Sequence, residues 1–309
     1  MRKEKCLLVD YIERGDCMEL MKQIPDHSVD LVLCDLPYGT TWYSWDKALP
    51  MGDLWKEYHR VGKENAAFVL FGTQPFTCAL GASNLKELKY AWAWRKSNIS
   101  GFLNAKKQPM RCFEDILVFY RKQCKYNPQG IVSGKRIYRQ DNRLIDKEDR
   151  WGPIKERKTG AAKWEPYAAN CKTRPTGAYV QTVTNCPNNM LEFKNERGYH
   201  PTQKPVPLLE YLIKTYTDEG EVVLDNCMGS GSTIVAAVNT NRHYIGFELN
   251  PDHFRTAKLR LEEALENKGI GAAETEVGAA EAEAEAEAAE AEGRTDEDFY
   301  WHKMEVWDE

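Results

Sequence analysis

Short apolar runs that end in turns alternate along this chain with longer stretches of helical period. "VDLVLCD" (29–35) and "AAFVLFG" (66–72) are almost wholly apolar and about the length of a buried strand. "LKYAWAWRKS" (88–97) and "CFEDILVFYR" (112–121) predict two further strands, and "VVLDNC" (222–227) with "HYIGFELN" (243–250) another pair. Between or after them, "PLLEYLIKTYTD" (207–218), "STIVAAVNTN" (232–241) and "PDHFRTAKLRLEEALENK" (251–268) carry the helical period. A further helix is expected to begin near Met18, with Asp16 in N-cap position. Strand–helix alternation of this kind predicts an α/β fold, a mainly parallel sheet with helices on both faces.

Two segments break the pattern. From about Gln123 to Arg197 the chain is rich in Lys, Arg, Asn, Gly and Pro, with Tyr138, Trp151, Trp164, Tyr167 and Tyr179 interspersed. It reads as an insertion with little core of its own, and structureless loops of that length are uncommon unless they have a function. The tail "AAEAEAEAEAAEAE" (279–292) is low in complexity. The expected organisation is therefore a globular region over residues 1–122, an insertion over 123–198, a second globular region over 199–270 and an acidic tail over 271–309.

Charge sharpens that division. The 309 residues carry a net charge of −5, but residues 271–309 hold 14 Asp+Glu against 2 Lys+Arg. Residues 121–198 hold 17 Lys+Arg against 8 Asp+Glu. A local basic field suits a polyanion. No run of 18 apolar residues exists, so no membrane-spanning helix is expected. The basic N-terminus has too short an apolar stretch for a signal peptide, and the expected location is cytoplasmic. The nine cysteines form no C-x-x-C pair and have no histidine pair nearby. They predict free buried thiols and no metal site.

"VVLDNCMGSGSTIVAAV" sets a strand, Asp225, then Gly229-Ser230-Gly231 and a helix in sequence. Glycines let the backbone approach a ligand, and the helix start offers unpaired N–H groups. The next strand ends in Glu248, where nucleoside-binding folds place an acid against ribose hydroxyls. Neither G-x-G-x-x-G nor G-K-[ST] is present, which disfavours a dinucleotide or a triphosphate. An acid beside the loop would repel phosphate but accept from an amino group. S-adenosylmethionine, with its amino group and sulfonium, fits that description. The plain alternative is an ordinary strand–turn–helix in which Asp225 caps.

"DLPY" (35–38), the basic insertion, "HPTQKP" (200–205) and "LDNCMGSGST" (224–233) occur in that order. So do "GDCMELMKQIPDHSVDLVLCDLPYG" (15–39) and "NISGFLNAKKQPMRCFEDILVFY" (98–120). Over roughly residues 10–265 the chain resembles the N6-adenine/N4-cytosine DNA methyltransferases in their permuted β order, closest in flavour to small stand-alone enzymes of phages and prophages. The resemblance implies a Rossmann-like S-adenosylmethionine-dependent sheet with an inserted DNA-recognition region, and double-stranded DNA as partner. Neither a metal nor a covalent intermediate is implied, and the oligomeric state is open between monomer and homodimer.

By the same resemblance, the Asp35 carboxylate and the Leu36 carbonyl accept from the target amine, Pro37 stiffens the turn and Tyr38 stacks on the swung-out base. Asp16, Asp35, Thr202, Lys204, Asp225, Gly229, Ser230, Gly231 and Glu248 would surround the cofactor, with Asp16 at the adenine and Thr202 and Lys204 at the methionine carboxylate. For Asp16, N-capping is the competing reading; for Lys204, a surface lysine near a helix start. Lys106 and Lys107 would contact phosphate, or else sit in a solvated turn. Leu36 replaces a proline usual in the family, and Asn226-Cys227 a Pro-Phe. Cytosine-N4 enzymes usually have serine where Asp35 stands, so adenine N6 is favoured over cytosine N4. A catalytically dead regulator and a protein-glutamine methyltransferase fit less well, the latter because its glycine loop precedes its N-P-P-Y block.

Overall fold

In a computed structural model, the structure describes residues 9–39, 49–138, 144–146, 179–196 and 203–269. Residues 1–126 and 190–309 group as one unit and residues 127–189 as another. The first unit begins with β1 (Tyr11–Arg14), α1 (Cys17–Leu20), β2 (Val29–Cys34), α2 (Met51–Val61) and β3 (Gly62–Gly72). It continues with α3 (Phe76–Ser83), β4 (Leu88–Ser100) and β5 (Arg111–Phe119). The second unit carries β6 (Val132–Tyr138), β7 (Leu144–Asp146) and β8 (Tyr179–Thr184), an antiparallel sheet of order β7-β6-β8. The chain then adds β9 (Met190–Glu192), α4 (Val206–Tyr216), β10 (Val222–Asp225), α5 (Ser232–Asn239), β11 (His243–Glu248) and α6 (Pro251–Asn267) to the first unit.

The main sheet runs β1-β11-β10-β2-β3-β5-β4-β9. β1, β11, β10, β2 and β3 are mutually parallel, and β5 is antiparallel to both of its neighbours. The six strands expected from the apolar runs are all present. β1 and β9 have no such run to mark them: they are four and three residues long and lie at the two edges.

Strand alternation divides the core in two. Leu31, Leu33, Val69 and Phe71 face a layer built with α4, α5 and α6. Val32, Cys34, Phe68 and Leu70 face α1, α2 and α3. Each central strand is buried on both sides, which is why its sequence is a continuous apolar run. Helices therefore cover both faces, and functional groups are left to the strand ends. Among the described cysteines, Cys17, Cys34 and Cys124 are buried, but Cys78, Cys112 and Cys186 are exposed, contrary to the expectation of buried thiols throughout. No described helix is long and apolar enough to cross a membrane.

Candidate active site

Asp35 follows β2 directly, at the carboxyl end of a central parallel strand, the edge where open α/β sheets gather ligands. β10, hydrogen-bonded alongside β2, ends in Asp225, and β11 beyond it ends in Glu248.

The glycine loop is held from two sides. Glu248 accepts from the Gly229 N–H at 2.8 Å and from the Asn250 N–H at 2.7 Å, so its carboxylate braces the loop. Arg260, a buried cation on α6, donates to the Ser230 carbonyl at 2.6 Å and to the Ser230 and Ser232 hydroxyls at 3.1 and 2.9 Å. The only sequence signal for Arg260 is a long cation in a helix whose neighbour Leu261 faces the core. Gly229 and Gly231 have φ of +54° and +76°. A Cβ on Gly231 would stand 2.9 Å from the Ala257 Cβ and 3.1 Å from its Cα. Left-handed strain and this close approach act together, so Gly231→Ala should cost about 2 kcal/mol of stability, read as a lower midpoint in thermal denaturation.

Asp225 is buried and accepts from the Cys227 N–H at 3.1 Å. Burial pushes its pKa from an ordinary 3.8 to about 6, while hydrogen bonds from Thr233, Cys34 and Cys227 hold it back. The same neighbourhood raises the Cys34 thiol to about 12, mainly through burial. Asn226 is fixed by the Tyr58 hydroxyl, which donates to its Oδ1 at 2.6 Å, and it donates toward the Cys227 sulfur at 3.4 Å. The Asn-Cys pair thus fills a hydrogen-bonded pocket beneath the loop.

Around Asp35 the charges are paired. Tyr38 donates its hydroxyl to Asp35 Oδ1 at 2.6 Å, and its ring stacks on Phe76 at 4.6 Å. Lys204 donates to Asp35 Oδ2. Lys204 is buried, 9% exposed, with its Nζ 5.1 Å from the centroid of the Phe71 ring, so it is not a surface lysine. Its Nζ also lies 3.5 Å from Glu114 Oε2. Lys96 pairs with Glu114 Oε1. Burial works against the Lys204 charge, but Asp35 and then Glu114 outweigh it and raise its pKa. Burial likewise opposes the Glu114 charge, yet Lys204 and Lys96 hold its pKa below the usual value. Glu196 accepts from the Val206 N–H at 3.0 Å and so fixes the start of α4, two residues after Lys204.

Lys96 and Glu114 were not expected at the site. The signal is that both stand in the apolar phase of adjacent strands: Glu114 shares its face with Ile116 and Val118, Lys96 with Trp92 and Trp94.

The other expected residues are placed as follows. Asp16 is exposed and caps α1, accepting from the Met18 N–H at 2.8 Å. Lys106 and Lys107 are exposed in the turn between β4 and β5. Leu36 is buried. Pro37 continues the turn between Leu36 and Tyr38. Thr202 lies outside the described residues. Among the described residues no cluster of three or more His, Cys, Asp or Glu could hold a metal ion.

The arrangement suits a polar, cationic nucleoside-like cofactor. Two acids end adjacent parallel strands, a glycine loop with left-handed backbone lies between them, and the buried Gln203 Oε1 beside Lys204 has no hydrogen-bond partner.

Known proteins are similar to this chain in sequence and in fold. The DNA adenine methyltransferase YhdJ of Escherichia coli (strain K12) is 28% identical over 267 residues, covering 82% of this chain and 83% of the relative. The type II methyltransferase M1.MboII of Moraxella bovis is 25% identical over 275 residues, covering 83% of this chain and 98% of the relative. In fold, the chain is similar to the PvuII DNA methyltransferase (cytosine-N4-specific), with TM-score 0.56 and 14% identity over 84% of this chain and 91% of that one. It is also similar to the M1.HpyAVI–SAM complex, with TM-score 0.52 and 23% identity over 81% and 98% of the two chains. The family model described as DNA methylase matches residues 29–259, well over half of the sequence, and the chain belongs to this family of N6-adenine and N4-cytosine DNA methyltransferases.

Proposed function

We propose that this protein methylates the exocyclic N6 of adenine in double-stranded DNA at a site built on Asp35, Leu36, Pro37 and Tyr38. The observation that carries the proposal is the position of Asp35, which follows directly on β2, next to the strand whose end starts the glycine loop. S-adenosylmethionine supplies the methyl group, as an electrophilic carbon on a sulfonium. Asp225, Gly229, Ser230, Gly231 and Glu248 would hold it, with Asp16, Thr202 and Lys204 at its periphery. An exocyclic amine is a weak nucleophile because its lone pair is delocalised into the ring. The Asp35 carboxylate and the Leu36 carbonyl each accept one of its hydrogens, which localises the lone pair toward the methyl carbon. Pro37 restricts the turn so that the acceptors are placed in advance. Tyr38, braced on Phe76, offers its other face to the extruded base. As the nitrogen–methyl bond forms, the methyl–sulfur bond would break and its electron pair stay on sulfur, leaving a neutral thioether; the surplus proton on the nitrogen passes by way of the Asp35 carboxylate to solvent.

Adenine is favoured over cytosine by the acid at position 35 and by the adenine methyltransferase among the relatives. Single-molecule sequencing of DNA from cells expressing the protein should report N6-methyladenine in a fixed context. N4-methylcytosine alone would overturn the base assignment, and unmodified DNA the reaction itself.

Duplex binding falls to the basic positions. Lys106 and Lys107 stand exposed beside Phe102, itself 78% exposed. Replacing both lysines with alanine should weaken DNA binding at least tenfold near 0.1 M salt. The plot of log affinity against log salt should become shallower by about 2, one unit for each phosphate left without its lysine. Fluorescence anisotropy at several salt concentrations measures this.

A further inference from the structure

We infer that Glu114 is a positioning residue for methyl transfer, the second counter-ion that takes Lys204 over when the target amine claims Asp35. The inference rests on the reading of Asp35 as the amine acceptor.

Both Asp35 oxygens are occupied, Oδ1 by the Tyr38 hydroxyl and Oδ2 by the Lys204 ammonium. Each oxygen keeps a free lone pair, so an incoming amine can reach the carboxylate but competes there with the Lys204 ammonium, and the amine is held most closely when that ammonium draws back. A buried ammonium cannot be displaced into apolar surroundings, because the loss of its partner is costly. Beneath the Lys204 Nζ lies the Phe71 ring, which is no hydrogen-bond acceptor for it.

Glu114 Oε2 supplies what is missing. It lies 3.5 Å from the Lys204 Nζ, buried, and has no hydrogen-bond partner. A shift of about 1 Å would convert this approach into an ordinary hydrogen bond. Lys96 holds the other Glu114 oxygen, so the carboxylate keeps its place while Lys204 moves. Two cations and two carboxylates balance before the exchange, and they still balance after a neutral amine has entered. Glu114 reaches this position because it stands on β5, two strands from β2, in the same phase as the core residues Ile116 and Val118.

The test compares Glu114→Gln with the double variant Lys96→Met/Glu114→Gln, in the full chain, by transfer of labelled methyl groups to DNA. Glutamine keeps the shape of Glu114 but loses the charge that would draw Lys204 away. For Glu114→Gln, kcat should fall about tenfold while KM for DNA and for S-adenosylmethionine stays within about twofold. The double variant removes one cation and one carboxylate, so its remaining charges balance. If Glu114 serves only to neutralise Lys96, the double variant regains wild-type kcat, and the inference is overturned. If Glu114 receives Lys204, the double variant stays slow; this arm decides the matter even where the single variant folds poorly. Wild-type kcat in Glu114→Gln would also overturn the inference. A wild-type protein that transfers no methyl group to DNA would instead overturn the reading of the site itself.

Discussion

Asp35→Ala is expected to lower kcat for DNA methylation by about 10²–10³-fold, the usual effect of deleting one preorganised electrostatic partner of a transition state. The carboxylate is the stronger of the two acceptors proposed for the amine, since the Leu36 carbonyl is uncharged. Affinity for S-adenosylmethionine should change less than tenfold, because most of the groups proposed to hold it are Asp225, the glycine loop after it and Glu248, at the ends of neighbouring strands. The alanine variant leaves Lys204 and Lys96 sharing Glu114, so a loss of stability accompanies it. Asp35→Asn separates the two effects. It keeps an acceptor for Lys204 or Tyr38 and preserves the shape, but its amide hydrogens meet those of the incoming amine. Its kcat should therefore fall nearly as far while its thermal midpoint stays closer to wild type. Methylation by either variant at the wild-type rate would remove Asp35 from the mechanism.

The two halves of this site differ in how openly the sequence shows them. The Asp35 turn and the glycine loop are contiguous, so their residues carry the signal in one stretch each. The central strands are equally plain, because burial on both faces demands a continuous apolar run. The ion cluster is not plain, because it joins Asp35 on one turn, Lys96 on β4, Glu114 on β5 and Lys204 before α4. Asp35 and Lys204 are marked by their own motifs, and Lys96 and Glu114 by standing in the apolar phase of their strands, but that the four meet is not visible until the strands are paired. Only the register, which sets Trp94 opposite Glu114, shows that β4 and β5 turn these charges toward the core face. Arg260 is hidden for a related reason: its partners are the backbone and hydroxyls of a loop 28 to 30 residues earlier. α2 carries its period in Leu54, Tyr58 and Val61, yet Pro50 at its start offers no side-chain cap, so the boundary is unmarked. Asp16 satisfies the capping geometry, which is the competing reading that its place before α1 offered.

Asp225 should make both stability and cofactor affinity depend on pH, with opposite signs. Its folded pKa of about 6 lies above the ordinary 3.8, first because of burial and further because of the nearby Asp35 charge. Between about pH 4 and pH 6 the native carboxyl keeps a proton that the unfolded chain has released. The folded state then binds more protons, so stability falls as pH rises through that window. The total is about 3 kcal/mol, fully expressed above pH 6. Asp225→Asn removes the ionisation, and its amide oxygen can still accept from the Cys227 N–H. Relative to wild type it should gain up to about 3 kcal/mol at pH 7 and nothing near pH 4, in denaturant unfolding at the two pH values. The cationic cofactor favours the charged carboxylate, so wild-type affinity should weaken by up to about tenfold per unit below pH 6. In Asp225→Asn that dependence should vanish and affinity at pH 7 should be lower. A more stable protein with wild-type cofactor affinity would show that Asp225 only caps the loop. A variant that loses both its stability gain and its binding would show that the buried acid is ionised at no net cost.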